Sequence, residues 1–320
     1  MRSVHLSFLL LLLLLGCRST MVSSDCSEGG AINRLKCVGA WLPACPSSLH
    51  PRPRSPAPTR KDSDEYRQPS SAVTAALEAS VRGAFDGNGT EVLRYGKEAG
   101  YSVCRDAPGH LRWTPGTSVP GGAAWLINPD PSALPIILEA PHSYFDKWTL
   151  DVAAELQERL GAQALLVSGT HRCASRATNQ CSGKIIRGEL RRNQTCEDRK
   201  GPHRISDPAH DVNGTFHAAH RALSVALAEA VVVSVHGMPK PGVSLSNGTI
   251  NEVGLDSPVA RLARAFRTQF PDQKVTVCNP HEGSEFANRM CGTGNVQGRH
   301  LNGSPNPCTV ATTTASDRFI

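Results

Sequence analysis

Aromatic residues are scarce in this sequence: only 5% of its 320 positions are Phe, Trp or Tyr. A basic surface that binds nucleic acid usually carries aromatic rings between its cations, so this composition argues against a nucleic-acid partner. The formal charge of +6 is modest, and part of it lies in the proline-rich stretch at 51–61. Such a stretch favours a solvated segment near a membrane surface rather than a binding face.

Two chemical motifs are missing as well. No pair of cysteines has the CxxC spacing of a structural zinc cluster. No Gly-x-Ser-x-Gly nucleophile elbow occurs, although residues 232–238 resemble the oxyanion strand of an α/β-hydrolase. These absences argue against a zinc-cluster protein and leave a serine esterase as a lesser alternative.

The apolar run at residues 8–15 is too short to span a bilayer. Its basic start and small-residue end are typical of a cleaved signal peptide, residues 1–17. Residues 14–17 also resemble a bacterial lipobox, in which Cys17 would be acylated; a secretory signal with a chance cysteine is the alternative. We expect an exported protein with a tether at 18–70. It would contact the membrane only through its lipid anchor, and without that anchor it would be secreted.

The cysteine count supports this compartment. Eleven cysteines leave one thiol without a partner, and lipid on Cys17 would account for it. The other ten can form five disulfides, which persist in an oxidising environment. We expect Cys173 to pair with Cys181, and the later cysteines to hold loops close to a functional pocket.

Residues 71–320 suit one α/β domain, which opens with a helix at 72–85. Four short apolar runs each end in a polar cluster that contains a histidine, and helical stretches separate some of them. This alternation predicts βαβ units and a mainly parallel, mixed sheet flanked by helices. Parallel strands would bring the clusters to one edge of the sheet, where open α/β folds bind ligands. The runs are 134–138, 164–167, 231–235 and 274–277.

His142 and Asp146 follow the first of these runs, and His236 follows the third. Two imidazoles and a carboxylate, with a fourth position open, form the ligand set of a catalytic zinc. Asp146 could instead cap the helix that begins after it, and Glu139 is the rival carboxylate ligand.

Residues 139–149 resemble the first metal motif of N-formylglutamate amidohydrolases and phage poly-γ-glutamate hydrolases. Both belong to the zinc carboxypeptidase-like superfamily, whose ligands come in the order His, carboxylate, His. His236-Gly237 resembles the later metal histidine, and residues 206–211, which include His210, also have the look of this group. The resemblance covers about residues 134–320 and implies a phosphorylase/hydrolase-like fold.

The resemblance also implies roles for other residues. In that sequence order, a substrate-binding arginine falls between the His/carboxylate pair and the last histidine, and Arg172 stands in that place. His210 is a further catalytic candidate. The superfamily's general base is a glutamate on a late strand. Residues 318–320 look like the start of that strand, so we expect either a truncated C-terminus or Glu282 in the role. The first loop is one residue shorter than in the poly-γ-glutamate enzymes, and its acid is Asp rather than Glu.

The glycine-rich segment 291–303 allows two interpretations. It could be a surface loop pinned by a disulfide, or a substrate loop in which Asn295 and Arg299 grip a carboxylate.

Together these patterns predict an exported zinc amidohydrolase or peptidase. Its substrate would be a small acyl-amino acid or a peptide: an acyl-glutamate, a γ-glutamyl compound or a cell-wall peptide. The alternative is a disulfide-rich surface binding protein that keeps the fold without catalysis.

Overall fold

The structure of the chain is a computed structural model. It describes residues 26, 29–47, 49–50, 52–106, 109–181, 185–186, 189–190, 196, 203–238, 241–249, 253–278 and 291–320. The predicted signal segment with Cys17, and the predicted base Glu282, lie outside the described residues. Among the described helices, none combines the length and the apolar character needed to cross a membrane.

The described chain contains both helices and strands, and helices separate several of the strands after residue 134, as the sequence pattern predicts. Helix α2 begins where the Ser70 hydroxyl accepts a hydrogen bond from the Val73 amide, and it ends at Gly87 in the left-handed conformation. The helices are α1 (Ala31–Trp41), α2 (Ser71–Asp86), α3 (Gly89–Glu98), α4 (Thr149–Leu160), α5 (Thr215–Ala226), α6 (Pro258–Gln269) and α7 (Val296–Leu301), with a 3-10 turn at Pro208–His210. The strands are β1 (Tyr101–Arg105), β2 (Leu111–Pro115), β3 (Ala124–Ile127), β4 (Leu134–Ala140), β5 (Ala162–Val167), β6 (Ile185–Ile186), β7 (Glu189–Leu190), β8 (Val231–Ser234), β9 (Val243–Leu245) and β10 (Val275–Val277).

Six strands form one mixed sheet in the order β1-β2-β3-β5-β4-β8. The first three predicted runs are β4, β5 and β8, and they are parallel neighbours at one side of this sheet. The other half is antiparallel, so the expectation of a mainly parallel sheet is wrong for β1 to β3. Those strands carry Trp113 and Trp125, which are fully buried and stack on each other in the core.

The fourth predicted run, β10, does not join the main sheet. It pairs in parallel with β9 in a separate two-stranded sheet. The position beside β8 is taken by residues 318–320, where Val232 bridges Phe319 in parallel and the Ser234 amide donates to the Ile320 carbonyl. Residues 318–320 therefore pair in parallel beside β8 and run towards His236.

Much of the predicted tether belongs to the folded domain. In helix α1, Leu35 and Val38 are fully buried in the same core as the sheet. The basic stretch docks on helix α4, where Arg52 forms ion pairs with Asp151 at 3.0 Å and Glu155 at 3.2 Å. This packing differs from the solvated tether expected for residues 18–70, because the basic side chains have acidic partners far along the chain.

Ten cysteines form five disulfides, which indicates an oxidising environment. The expected bridge between Cys173 and Cys181 is wrong, because each pairs with a more distant cysteine. Spacing along the chain does not reveal which thiols the fold brings together. The bridges are Cys26–Cys37, Cys45–Cys104, Cys173–Cys196, Cys181–Cys308 and Cys278–Cys291.

Side chains of β4 alternate between two buried layers, as a strand covered on both faces requires. Ile137 packs with helices α2 and α5, whereas Leu138 and Ala140 pack with helix α4. This alternation decides on which side of the sheet Glu139 lies.

Candidate metal centre

Two neighbouring strands deliver the predicted histidines to the same edge of the sheet. In the parallel pair β4 and β8, Glu139 lies opposite Ser234. His142 follows Glu139 by three residues and His236 follows Ser234 by two, so both imidazoles emerge at the same end of the strands. The sequence prediction that these clusters converge is confirmed for this pair.

His142, Asp146 and His236 bring three ligand atoms together. His142 Nδ1 lies 3.2 Å from Asp146 Oδ2 and 3.1 Å from His236 Nδ1, and the third side of the triangle is 3.6 Å. Tetrahedral zinc with bonds of about 2.1 Å holds its ligand atoms about 3.4 Å apart. The donor set and its spacing therefore fit a zinc ion.

The hydrogen-bond partners of His142 also favour a cation at this point. A neutral His142 that donates from Nε2 to Asp207 has a bare lone pair on Nδ1, directed at the Asp146 carboxylate. Two lone pairs 3.2 Å apart repel unless a proton or a metal lies between them. The N–H group of His236 can donate to only one of these two atoms. A metal ion bound between His142 Nδ1 and the Asp146 carboxylate would remove the repulsion that remains.

Asp146 is oriented by the backbone after β8. The Gly237 amide donates to Asp146 Oδ2 at 3.0 Å, and a Cβ on Gly237 would lie only 3.0 Å from the Asp146 Cβ. Burial alone would raise the pKa of Asp146, but the neighbouring His142 and His236 outweigh it and hold that pKa well below its usual range. The carboxylate is therefore charged and turned to the histidines. It does not cap helix α4, whose N-cap is Trp148 without a side-chain bond.

One side of this ligand set is accessible. The side chains of His142 and Asp146 are 3% and 9% exposed, whereas that of His236 is 30% exposed. The pKa of His236 is lowered, mainly because the ring loses hydration, and a neutral imidazole is the form that binds a metal. A catalytic zinc needs such an open position for water or substrate.

Asp207 belongs to the candidate site, although no sequence pattern singled it out. It is fully buried and accepts a hydrogen bond from His142 Nε2 at 2.9 Å, while Arg172 donates to its second oxygen at 2.5 Å. Burial alone would raise the pKa of Asp207, but Arg172 and the neighbouring histidines hold it well below the usual range. A charged carboxylate on the far nitrogen of a metal-binding histidine selects its tautomer and orientation. The signal in the sequence was the segment 206–211, which pointed to His210 instead.

A second group, His203, Asp207 and His210, also has ligand atoms close enough for a metal. The rings of His203 and His210 are stacked, with centroids 3.6 Å apart and planes 10° from parallel. A metal lies in the plane of the imidazole that binds it, so one ion cannot suit both rings in this arrangement. Arg172 already occupies the second oxygen of Asp207. The first group is therefore the better metal site.

His210 does not join the first ligand set. Its Nδ1 bonds the Gly294 carbonyl at 2.8 Å, and its ring rests on His203. Burial, with repulsion from His203, lowers the pKa of His210 well below its usual range. The predicted catalytic role of His210 stays a prediction.

The predicted substrate residues of segment 291–303 have structural roles instead. The Asn295 side chain accepts hydrogen bonds from the amides of Gln297 and Gly298, which caps helix α7. Arg299 is buried and donates to the carbonyls of Thr293, Pro307 and Cys308. A clamp built from Asn295 and Arg299 is therefore wrong, because the loop uses both side chains to hold itself together.

Glu139 is not the metal carboxylate. Strand alternation turns it to the face covered by helix α5, where it lies 2.7 Å from His220 Nδ1. The rings of His217, His220 and His300 pack together beside it, with centroids 5.5–5.7 Å apart. Within the described residues, this buried histidine cluster is separate from the ligand set at the sheet edge.

The buried histidine cluster is expected to make the fold sensitive to acid. Desolvation by burial, with repulsion from neighbouring cations, lowers the pKa of His300 to about 4 and that of His217 well below its usual range. Histidines in the unfolded chain have pKa values of about 6.5, so below that pH the unfolded chain binds more protons than the folded chain. The free energy of unfolding therefore decreases as the pH is lowered, by up to about 1.4 kcal/mol per pH unit for each of these histidines.

Urea unfolding of the metal-free protein at pH 7.5, 6.5, 5.5 and 4.5 measures this loss. His300→Gln should flatten the decline below pH 6.5, because Gln takes up no proton. An identical decline in the variant would show that other groups cause the acid sensitivity.

Three comparisons of the chain with known proteins do not bear on the role of this site. No protein-family model matches the chain, and neither a curated protein nor a solved structure matches it. The assignment to a candidate metal centre thus rests on the geometry of His142, Asp146 and His236.

Proposed function

We propose that this protein is an exported, zinc-dependent amidohydrolase or peptidase that acts on an amide bond near a substrate carboxylate. The observation that carries the proposal is the triangle of two imidazole nitrogens and a carboxylate oxygen with edges of 3.1–3.6 Å, backed by the buried Asp207. The predicted phosphorylase/hydrolase-like fold and the resemblance to N-formylglutamate amidohydrolases agree with this chemistry.

Each residue of the centre has a distinct task in the proposed reaction. His142, Asp146 and His236 would hold the zinc, which when bound lowers the pKa of water and polarises a carbonyl. Asp207 keeps the proton of His142 on Nε2, so that Nδ1 stays free for the metal. Glu282 stays the predicted general base.

The zinc content and the activity of the purified protein test the proposal. We expect about one zinc per chain and release of glutamate from an N-acyl-glutamate, both abolished by a chelator and restored by zinc. A protein that holds zinc but releases no amino acid from acyl-amino acids, γ-glutamyl compounds or peptides would instead be the non-catalytic surface binding protein. A protein that binds no zinc contradicts the metal centre itself.

Arg172 remains the proposed partner of the substrate carboxylate. It lies beside the centre through its bond to Asp207, and its side chain is 12% exposed. A guanidinium has five N–H donors in a planar fork, so bonding Asp207 leaves donors for a second carboxylate.

Arg172→Lys keeps the charge and loses the planar fork. The measured quantity is kcat/KM for a carboxylate-bearing substrate divided by kcat/KM for its amidated form. We expect this ratio to fall about 10-fold in the variant, because only the carboxylate-bearing substrate loses a charge-assisted hydrogen bond. Zinc content and melting temperature are measured alongside, and Arg176→Lys, an exposed arginine in the same loop, is the control. A ratio equal to that of the wild type would remove Arg172 from the substrate site.

A further inference from the structure

Trp148 has an unusual backbone conformation two residues after the ligand Asp146. Its φ is 71°, in the left-handed region, which is strained for a bulky side chain and usually holds glycine or asparagine. Its side chain caps nothing and is 64% exposed. The ring therefore adds little to the core. Strained residues of this kind cluster at ligand sites, where the strain serves a function.

Phe145 links this feature to the metal centre. Its ring centroid lies 6.4 Å from that of His142 and 5.2 Å from that of His171, and the guanidinium carbon of Arg172 is also 5.2 Å away. Phe145 is 37% exposed. Its ring thus forms part of the accessible wall between the zinc ligand His142 and the proposed carboxylate partner Arg172.

Val152 extends the same surface by one helical turn. Its amide donates to the Trp148 carbonyl at 2.8 Å, and its side chain is 45% exposed, four residues after Trp148. Val152 thus lies in the first turn of helix α4, directly after the loop that carries Trp148. Phe145, Trp148 and Val152 are called the apolar rim below. Apolar side chains grouped next to a polar site favour a ligand with an apolar part.

We infer that the apolar rim binds the acyl group of the substrate, and that this group is aromatic or bulky and apolar. The inference rests on the proposed function, in which the substrate's amide bond lies at the zinc and its carboxylate binds Arg172. The acyl group is the remaining apolar part of the substrate, and it would bind at the rim. The loop 142–148 carries two zinc ligands and two rim residues, which ties the position of the rim to that of the metal.

N-benzoyl-glutamate and N-acetyl-glutamate test the inference, because they differ only in the acyl group. We expect the wild-type kcat/KM to favour the benzoyl compound by about 10-fold or more, as apolar groups in enzyme pockets do. Trp148→Gly should bring this ratio towards one. Its melting temperature should be at least that of the wild type, because glycine adopts this φ without strain, so unfolding would not explain the change. Trp41→Gly, which removes another exposed tryptophan, should keep the wild-type ratio.

The possible failures are distinguishable. Hydrolysis of neither compound contradicts the proposed function, and the rim is then tested by the Kd values of the zinc-loaded protein for the same two compounds. Equal wild-type kcat/KM or Kd values for the two compounds overturn the inference while leaving the function intact. If Trp148→Gly keeps the ratio but loses co-sedimentation with phosphatidylcholine vesicles, the rim contacts a membrane instead and the inference is wrong.

Discussion

His236→Ala should abolish zinc binding and hydrolysis together. The substitution removes one of three converging ligand atoms and leaves His142 and Asp146 only 3.2 Å apart without the third donor. Two ligands hold zinc far more weakly than three, so metal content after dialysis should fall from about one per chain to near zero. Metal analysis and the release of glutamate measure the two losses.

The matched control is His171→Ala, because His171 also follows a strand at the same sheet edge but lies outside the ligand group. This control should keep its zinc, and both variants should keep their five disulfides. A His236→Ala protein that retains full zinc would contradict the ligand assignment and point to the group of His203, Asp207 and His210.

Asp207→Asn should weaken zinc binding about 10- to 100-fold without removing a metal ligand, as loss of an outer carboxylate does at other metal sites. An amide can donate as well as accept, so it no longer fixes the proton of His142 on Nε2. The partly exposed Arg172 guanidinium also loses its buried negative partner, which should lower the free energy of unfolding by a few kcal/mol. Competition with a chelator measures the zinc affinity, and urea unfolding measures the stability.

Asp211→Asn provides the control for this variant. Asp211 is buried four residues later and bonds Gln68 and the Asn213 amide rather than His142. Burial raises the pKa of Asp211 to about 6, so a neutral side chain costs little there. Equal zinc affinity of the two variants would show that Asp207 only supports the fold.

The strand pattern was sufficient to single out the three residues of the candidate metal centre. His142 and His236 each follow a short apolar run, and Asp146 lies on the loop after the first. These are local features, because a buried parallel strand and the polar turn after it occupy only a few consecutive residues. Rigid parallel pairing then brings distant turns together in a predictable way. The sequence pattern also predicted a helix at 72–85, and helix α2 spans Ser71–Asp86.

The loop 291–303 shows where that reasoning fails. Asn295 and Arg299 are residue types that bind carboxylates, and the sequence cannot tell whether such groups face a ligand or their own backbone. The structure turns Arg299 onto three carbonyls of the same region, because buried carbonyls need donors.

The amino-acid sequence contains the chemical groups of this protein: ten cysteines for five disulfides, and two histidines with an aspartate at the ends of strands. The packing of the elements sets how these groups are paired. It placed Asp207 on His142 across 65 residues, Cys173 with Cys196, and β10 outside the main sheet. Secondary-structure propensity and burial patterns act over a few consecutive residues. Pairing between distant segments instead depends on how all the elements pack around one core.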